Sequence, residues 1–153
     1  MLKIFLCFSI IFLSSCLSEE GMAYFTPDEL TFLLATDSAK AWILTNRSIN
    51  NSQDVLQECD KDDLLIFRNT ISSQDTLKVQ LETGPLQCPG QADSIIYQGY
   101  WKALDSINVH YLLWVIEGET SIRLVNFITS ELLNISYTEG NDQISENFTA
   151  NLN

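Results

Sequence analysis

The lone histidine is the first residue of this 153-residue chain to consider for acid–base chemistry. His110 lies in an apolar stretch, with no free cysteine and no Gly-x-Ser-x-Gly motif near it in the sequence. General-base catalysis requires a nucleophile within reach of the base and a partner that orients the base. We therefore interpret His110 as a structural residue on the face of a strand. The sequence predicts a protein that is not an enzyme and that uses no cofactor.

Three carboxylates lie close together at Asp60, Asp62 and Asp63, and Ca²⁺ prefers oxygen ligands of this kind. The spacing does not match an EF-hand, because no glycine occupies the sixth position of the loop and no glutamate closes it. Lys61 also stands among the three acids. We expect solvated carboxylates at the start of a strand, and no metal site. A carboxylate pair for glycoside cleavage stays open, since the separation that matters there is spatial.

Acidic residues dominate the charge of the chain. Eight lysines and arginines stand against twenty aspartates and glutamates, which gives a formal charge of −12 and a pI near 4.2. This balance argues against nucleic-acid binding, which requires a basic surface that displaces counterions. With 46% hydrophobic and 18% charged residues the chain is too apolar to be disordered, and its length fits one small domain.

The N-terminal segment has the pattern of a secretory signal. Lys3 precedes an apolar run, Ile4–Leu13, that is too short to span a bilayer as a mature helix. The end of this run, Leu13-Ser14-Ser15-Cys16, resembles a bacterial lipobox, in which small residues precede a cysteine that receives lipid. We therefore predict a signal peptide over residues 1–15 and a lipid on Cys16 that anchors the chain to a membrane. The alternative is an ordinary secretory signal with an incidental cysteine.

The residues that follow Cys16 indicate where the anchored chain resides. Leu17 stands where an aspartate would resemble an inner-membrane retention signal, so we expect the outer membrane. The acidic pair that begins two positions further on resembles the surface-export signals of Bacteroidota-type lipoproteins, which favours display on the cell surface. Residues 16–25 are predicted to form a tether, and residues 26–153 the folded domain.

A helix start follows the tether. In Thr26-Pro27-Asp28-Glu29 the threonine can cap the helix, the proline suits its first position, and the glutamate can return a hydrogen bond to the threonine. The helix is predicted to run to about Thr36, and so short a helix must pack on another element to persist. Its apolar face consists of Leu30, Leu33 and Leu34.

From Lys40 onward apolar residues recur at every second position, which is typical of half-buried strands. About eight such strands follow from the pattern. Antiparallel strands in this number can close into a small barrel, so the expected fold is an all-β, up-and-down barrel with one short N-terminal helix. The predicted strands are Trp42–Ile49, Leu64–Arg68, Thr76–Glu82, Ile95–Ala103, Ile107–Ile116, Thr120–Ile128, Leu132–Tyr137 and Gln143–Thr149.

Cys59 and Cys88 are the two cysteines that remain after the predicted processing, since Cys7 would be removed and Cys16 acylated. An even number of cysteines in an exported chain predicts a disulfide, because the compartment is oxidising. Chain entropy gives such a crosslink roughly 3–4 kcal/mol of stabilisation. Two unpaired thiols are the alternative.

The order of these landmarks between Leu30 and Tyr137 resembles that of the lipocalin-like lipoproteins of Bacteroidota-type bacteria. There, a lipobox and a short helix precede a tryptophan strand, a cysteine with acidic neighbours, a strand aromatic, a second cysteine, a Gly-x-Trp-like strand and two closing strands. The resemblance implies a lipocalin-like barrel. The matching segments here are Lys40–Thr45, Cys59–Asp63, Phe67, Cys88, Gly99–Trp101, Ile122–Leu124 and Leu132–Ile135.

Aromatic residues in different strands are the candidate ligand-binding residues. Closure of the barrel could bring several of them around one axis, where they would form a dry pocket for a small hydrophobic ligand. The same rings could instead fill the interior of a small barrel. Trp114 and Tyr111 cannot share a face, because alternate residues of a strand point to opposite sides. The candidate set is Trp42, Phe67, Trp101 and Tyr111.

Two further expectations concern which side chains face solvent. The segment Ile107–Ile116 is apolar on both faces, so one face would fill the barrel and the helix would cover the other from outside. Arg123 lies among apolar neighbours, and we expect it to face solvent, with stacking on a tryptophan as the alternative.

The leading hypothesis is a lipid-anchored outer-membrane protein that binds a small hydrophobic ligand in its barrel without catalysis. The rival hypothesis is a structural or protein-interaction module, such as an accessory subunit or an inhibitor, whose barrel is filled. An internal cavity favours the first hypothesis, and a filled interior favours the second. The sequence does not identify a protein partner.

Overall fold

The alternating segments of the sequence pair into one antiparallel sheet that closes on itself. The computed structural model describes residues 24–71, 76–91, 94–106 and 109–152. Successive long strands are paired and the last pairs with the first, which makes an eight-stranded barrel with one additional two-residue strand. The predicted all-β barrel with a short helix is confirmed. The elements in chain order are α1 (Pro27–Ala35), β1 (Ala39–Ile49), β2 (Ser52–Gln53), β3 (Leu64–Ile71), β4 (Leu77–Glu82), β5 (Ile95–Leu104), β6 (His110–Ile116), β7 (Glu119–Ile128), β8 (Leu132–Glu139) and β9 (Asp142–Ala150).

Helix α1 begins with the predicted capping box and closes one end of the barrel. The Glu29 amide donates to Thr26 Oγ1 at 3.3 Å, and the Thr26 amide donates to Glu29 Oε2 at 2.8 Å. Leu30 and Leu34 are buried, and the helix contacts β1, β3 and β5. The Trp42 indole donates to the Leu34 carbonyl oxygen at 3.0 Å, which fixes the helix to the start of β1. This end of the barrel is the closed end, and the opposite end, where β1 finishes, is the open end.

The expectation that the helix covers the outer face of β6 is wrong. Residues 36–38 alone separate α1 from β1, so the helix must lie at the end of the barrel where β1 begins. The helix therefore does not cover the outward side chains of β6. Tyr111 and Leu113 are half-buried, and Ile122 on the neighbouring β7 is 49% exposed.

Aromatic rings fill the half of the barrel interior next to α1, the closed half. Trp42, Phe67 and Trp101 are each 0% exposed. Phe67 packs edge-on against Trp101 and Trp114, with ring centroids 5.0 and 5.6 Å apart. The Trp101 indole donates to the Lys78 carbonyl oxygen at 3.1 Å, so the polar edge of this buried ring has a partner. The closed half is a packed core.

The segment that precedes α1 packs against the closed end of the barrel. The rings of Tyr24 and Phe25 lie 5.9 and 5.5 Å from the ring of His110, and the Phe25 amide donates to His110 Nε2 at 3.4 Å. His110 is buried and holds this segment in place. The predictions for residues 1–23, including the signal peptide and Cys16, fall outside the described residues. Within the described part of the chain, the one helix is too short to cross a membrane.

A covalent link joins two loops at the open end. Cys59 and Cys88 lie at disulfide-bonding distance, with their Cα atoms 5.2 Å apart, as the cysteine count predicts. Cys59 belongs to the loop before β3, and Cys88 belongs to the loop between β4 and β5. The crosslink therefore holds together two loops at the mouth of the barrel.

Two carboxylates reinforce this link. The Leu86 amide donates to Asp62 Oδ2 at 2.7 Å, and the Gly84 amide donates to Asp63 Oδ1 at 3.1 Å. A Cβ atom at Gly84 would collide with the Asp62 backbone, so the close approach requires glycine. The expectation of solvated carboxylates is wrong for Asp63, which is 6% exposed, because it binds a backbone amide of the facing loop.

Replacement of both Cys59 and Cys88 by serine is expected to lower the free energy of unfolding by about 3 kcal/mol, because the unfolded chain regains the freedom of the closed loop. Urea denaturation of the oxidised parent and of the double variant measures this difference. The reduced parent is the matched control and should resemble the variant. Alkylation of both thiols in native, unreduced protein would contradict the crosslink.

Candidate ligand-binding cavity

The half of the barrel interior toward the open end contains a cavity of about 770 Å³. The aromatic layer of the closed half forms its floor, where Trp114 is the tryptophan that lines the cavity. The two crosslinked loops and the turns after β6 and β8 surround its mouth. The apolar part of the wall consists of Leu44, Leu65, Leu81, Ile96, Ile116 and Phe148. The barrel is thus filled at one end and hollow at the other.

A β-bulge turns Arg47 into this cavity. The register of β1 against β9 shifts between Leu44 and Asn46. Before the shift, Leu44 stands opposite Phe148, and both side chains line the cavity. After it, Arg47 stands opposite Glu146. The extra residue of a bulge changes which face the following side chains occupy, so an arginine that strict alternation places outside lies inside.

Glu146 is shared between two arginines. Arg47 donates to Glu146 Oε1 from Nε at 3.0 Å and lies 2.9 Å from the same oxygen through Nη2. Arg123 Nη1 lies 3.8 Å from the other carboxylate oxygen. Glu146 is 5% exposed, and a buried carboxylate is tolerated only where it is paired in this way. Arg47 Nη1 also lies 3.8 Å from Asp54 Oδ2, so Arg47 has two acidic partners, whereas the one acidic contact of Arg123 among the described residues is this longer one to Glu146.

Arg123 is stacked between two aromatic rings. Its guanidinium carbon lies 4.3 Å from the centroid of Trp114 and 3.8 Å from the centroid of Tyr137. The expectation that Arg123 faces solvent is wrong, and the stacking alternative is correct, because Arg123 lies on the inward face of β7. These contacts favour the approach of other molecules along the edge of the guanidinium group.

Two buried donors of residues that line the cavity lack an acceptor among the described residues. Arg123 Nε and Trp114 Nε1 are buried and have no hydrogen-bond partner among the described residues. Burial raises the pKa of Tyr97 and of Tyr137, so both hydroxyls stay protonated at neutral pH and can donate. An acceptor supplied by a ligand would find several donors in this region.

Carboxylates surround the mouth of the cavity. Among the described residues that line the cavity, the only cations are Arg47 and Arg123, and both lie in the interior. The acids of the mouth come from one crosslinked loop and from the residues at the two hairpin turns. They are Asp60, Asp63, Glu117, Glu119 and Glu139. The more buried of the two cations, Arg123, thus lies inside a rim of carboxylates.

The structure does not bring the four aromatic residues of the predicted set together at this cavity. Trp42, Phe67 and Trp101 meet in the packed core of the closed half. Tyr111 lies on the outer face of β6, because the buried residues of that strand are its alternate neighbours His110, Leu112 and Trp114. The segment is apolar on both faces, so its sequence could not decide which face points inward.

Three polar residues of the cavity, Arg47, Tyr137 and Glu146, were missed from the sequence. Tyr137 has a detectable signal, since it alternates with the buried Leu133 and Ile135 and must share their face. Glu146 alternates in the same way with Ile144 and Phe148. Arg47 has no such signal, because a bulge changes the phase of the strand without a glycine to mark it.

Asparagine at position 63 is expected to stabilise the protein at neutral pH, and this gain should shrink as the pH falls. Burial raises the pKa of Asp63 more than its hydrogen bond from Gly84 lowers it. The folded state therefore binds the proton more tightly than the unfolded state, and stability decreases as the pH rises through the shifted pKa. Asp63→Asn keeps an oxygen acceptor for the Gly84 amide and removes the buried charge. Thermal denaturation of both proteins from pH 4 to pH 8 measures the difference, and a gap that does not change with pH would contradict this cause.

Comparisons of the chain with protein-family models, with curated proteins and with solved structures found no match. Function therefore has to be inferred from the chain's own residues and from the cavity that they form.

Proposed function

We propose that this protein binds a small ligand in the open half of its barrel, without catalysis, and that a lipid on Cys16 anchors it to the outer membrane. The cavity of about 770 Å³ is the observation that carries the binding proposal. Ligand sites are concave and combine apolar walls with a few converging polar groups. This cavity places Arg123, Tyr97 and Tyr137 beside the apolar part of a largely polar lining.

The ligand is amphipathic under this proposal, rather than purely hydrophobic. The wall contributed by Leu81, Ile116 and the Trp114 ring suits an apolar or planar body. The donors around Arg123 would be left without acceptors by a ligand made only of hydrocarbon, and unpaired buried donors weaken binding. A molecule with an apolar body and at least one acceptor group satisfies both parts of the cavity.

Binding is favoured over catalysis by the residues of the wall. Among the described residues that line the cavity, aliphatic hydroxyls occur at Thr120, Ser121 and Thr138, and neither histidine nor lysine stands beside them. A hydroxyl nucleophile requires a neighbouring base to activate it. The carboxylate inside, Glu146, is held by two arginines, which suits a structural role.

The proposed anchor is compatible with an accessible cavity. Tyr24 and Phe25, which follow the tether, pack at the closed end of the barrel, and the mouth lies at the opposite end. A lipid on Cys16 would therefore hold the closed end near the membrane and leave the mouth facing solvent.

A protein-interaction role is the second candidate, and one surface favours it. The outer face of β5, β6 and β7 carries apolar side chains, including Tyr100, Leu113 and Ile122, that no described residue of the chain covers completely. Exposed apolar surface of this kind often marks an interaction site.

Narrowing the cavity is expected to abolish ligand binding without loss of the fold. Leu81→Trp adds bulk to an inward residue of the cavity wall, whereas Lys78→Trp adds bulk to an exposed residue of the same strand. A screen of amphipathic molecules by thermal shift should find ligands that stabilise the parent, by about 2.7 kcal/mol at a concentration of a hundred times Kd. The Lys78 variant should keep this stabilisation, and the Leu81 variant should lose it. Ligands that stabilise all three proteins equally would place the binding site elsewhere, on the outer surface.

The anchor has a separate test. Mass spectrometry of membrane-extracted protein is expected to show a lipid-modified N-terminal peptide that begins at Cys16, and Cys16→Ser should move the protein into the soluble fraction. A soluble mature chain that begins at Leu17 or later would contradict the proposal. This result would leave the cavity and its ligand unaffected.

A further inference from the structure

The geometry points to a dipolar ligand, with an anionic group at Arg123, a cationic group at the acidic mouth, and an apolar segment between them. This inference rests on the proposed binding function and names the chemical class of the ligand. Short ω-amino acids and short peptides with free termini belong to this class.

The anionic end is assigned by the weak pairing of Arg123. Arg47 already makes two close contacts with one oxygen of Glu146, at 3.0 and 2.9 Å. Arg123 reaches the other oxygen only at 3.8 Å, and its Nε has no partner among the described residues. A ligand carboxylate would supply Arg123 with the close partner that it lacks, in surroundings where Coulomb interactions are stronger than in water. Arg47, by contrast, has two acidic partners, Glu146 and Asp54.

The stacking of Arg123 selects a planar anion. The guanidinium carbon of Arg123 lies over the rings of Trp114 and Tyr137, 4.3 and 3.8 Å from their centroids, which favours approach of a ligand along the edge of the group. A carboxylate that lies in the plane of a guanidinium group accepts two parallel hydrogen bonds, which is the strongest arrangement for such a pair. The side chain of Arg123 is 15% exposed, which leaves room for this approach from the cavity.

The cationic end is assigned by the mouth. Five acids line the mouth, and no lysine or arginine lies beside them among the described residues of the lining. A ligand that carries only negative charge would be repelled at this rim, as it would by the net charge of −12 of the whole chain. An ammonium group on the same ligand would instead be attracted to the rim. The position of Arg123 inside an acidic rim thus matches a molecule with opposite charges at its two ends.

Three probes of equal chain length test this inference: octanoate, octylamine and ω-aminooctanoate. Isothermal titration calorimetry at low salt is expected to give ω-aminooctanoate an affinity at least about tenfold higher than either singly charged probe. Raised ionic strength should reduce this advantage, because exposed charges at the rim are screened. Octanoate binding as tightly as ω-aminooctanoate would overturn the assignment of the cationic end.

Substitutions at each end separate the two contributions. Arg123→Gln leaves Arg47 facing Glu146. This variant should lose the affinity that the carboxylate of the probe adds, and it should bind octylamine as the parent does. The triple variant Glu117→Gln, Glu119→Gln, Glu139→Gln should lose the affinity that the ammonium group of the probe adds. The matched controls are Arg68→Gln and Glu131→Gln, whose residues lie outside the cavity. Both controls should keep the affinity that the carboxylate and the ammonium group add.

A second arginine variant covers the case in which Arg123→Gln does not fold. Arg123→Lys keeps the charge and loses the planar fork, so it should keep a reduced preference for the carboxylate probes. Failure of this inference is distinguishable from failure of the proposed function. If the thermal-shift screen finds ligands that compete for the cavity but none of the charge preferences appears, the dipolar class is wrong and binding stands. If no molecule binds the cavity, both fall.

Discussion

The pairing of β1 with β9 is the interaction on which the rest of the structure depends. It converts a meander into a closed barrel and leaves no long edge of the sheet open at this seam. The same pairing contains the bulge between Leu44 and Asn46, which brings Arg47 opposite Glu146. The pairing of β1 with β9 therefore closes the barrel and also directs the side chain of Arg47 into its interior.

The two halves of the barrel use the same alternation of side chains for different purposes. Toward α1 the inward positions carry large aromatic rings, and Phe67 joins Trp101 and Trp114 into a packed layer. Toward the open end the inward positions of β1, β7, β8 and β9 carry Arg47, Arg123, Tyr137 and Glu146. The aromatic layer supplies the apolar burial that a small barrel needs, so the open half need not be filled. The crosslinked loops then hold the mouth in shape around the cavity.

The features of this structure that could be predicted from the sequence are those set by local interactions, between residues close together in the chain. The capping box at Thr26 and the period-two strands are local patterns, and they led to the correct helix and to the barrel. The position of α1 on the barrel could not be predicted from local patterns, since it depends on the three-residue connection to β1 together with the shape of the barrel end. The predicted binding set failed to assemble at the cavity for a similar reason. Aromatic character indicated burial for Trp42 and Phe67, but whether a buried ring fills a core or lines a cavity depends on its height along the barrel axis.

Stability alone does not account for the charged group inside the barrel. Buried ion pairs are often no more stabilising than apolar side chains of similar volume, because the charges lose their hydration. Leucine or phenylalanine at positions 47, 123 and 146 would extend the aromatic core toward the mouth and would avoid this desolvation. The group of Arg47, Glu146 and Arg123 instead leaves a cavity, one arginine without a close acidic partner and a buried donor without an acceptor. Each of these features weakens an empty barrel, and a ligand that supplies a carboxylate would compensate for it. The arrangement therefore supports the proposed ligand binding.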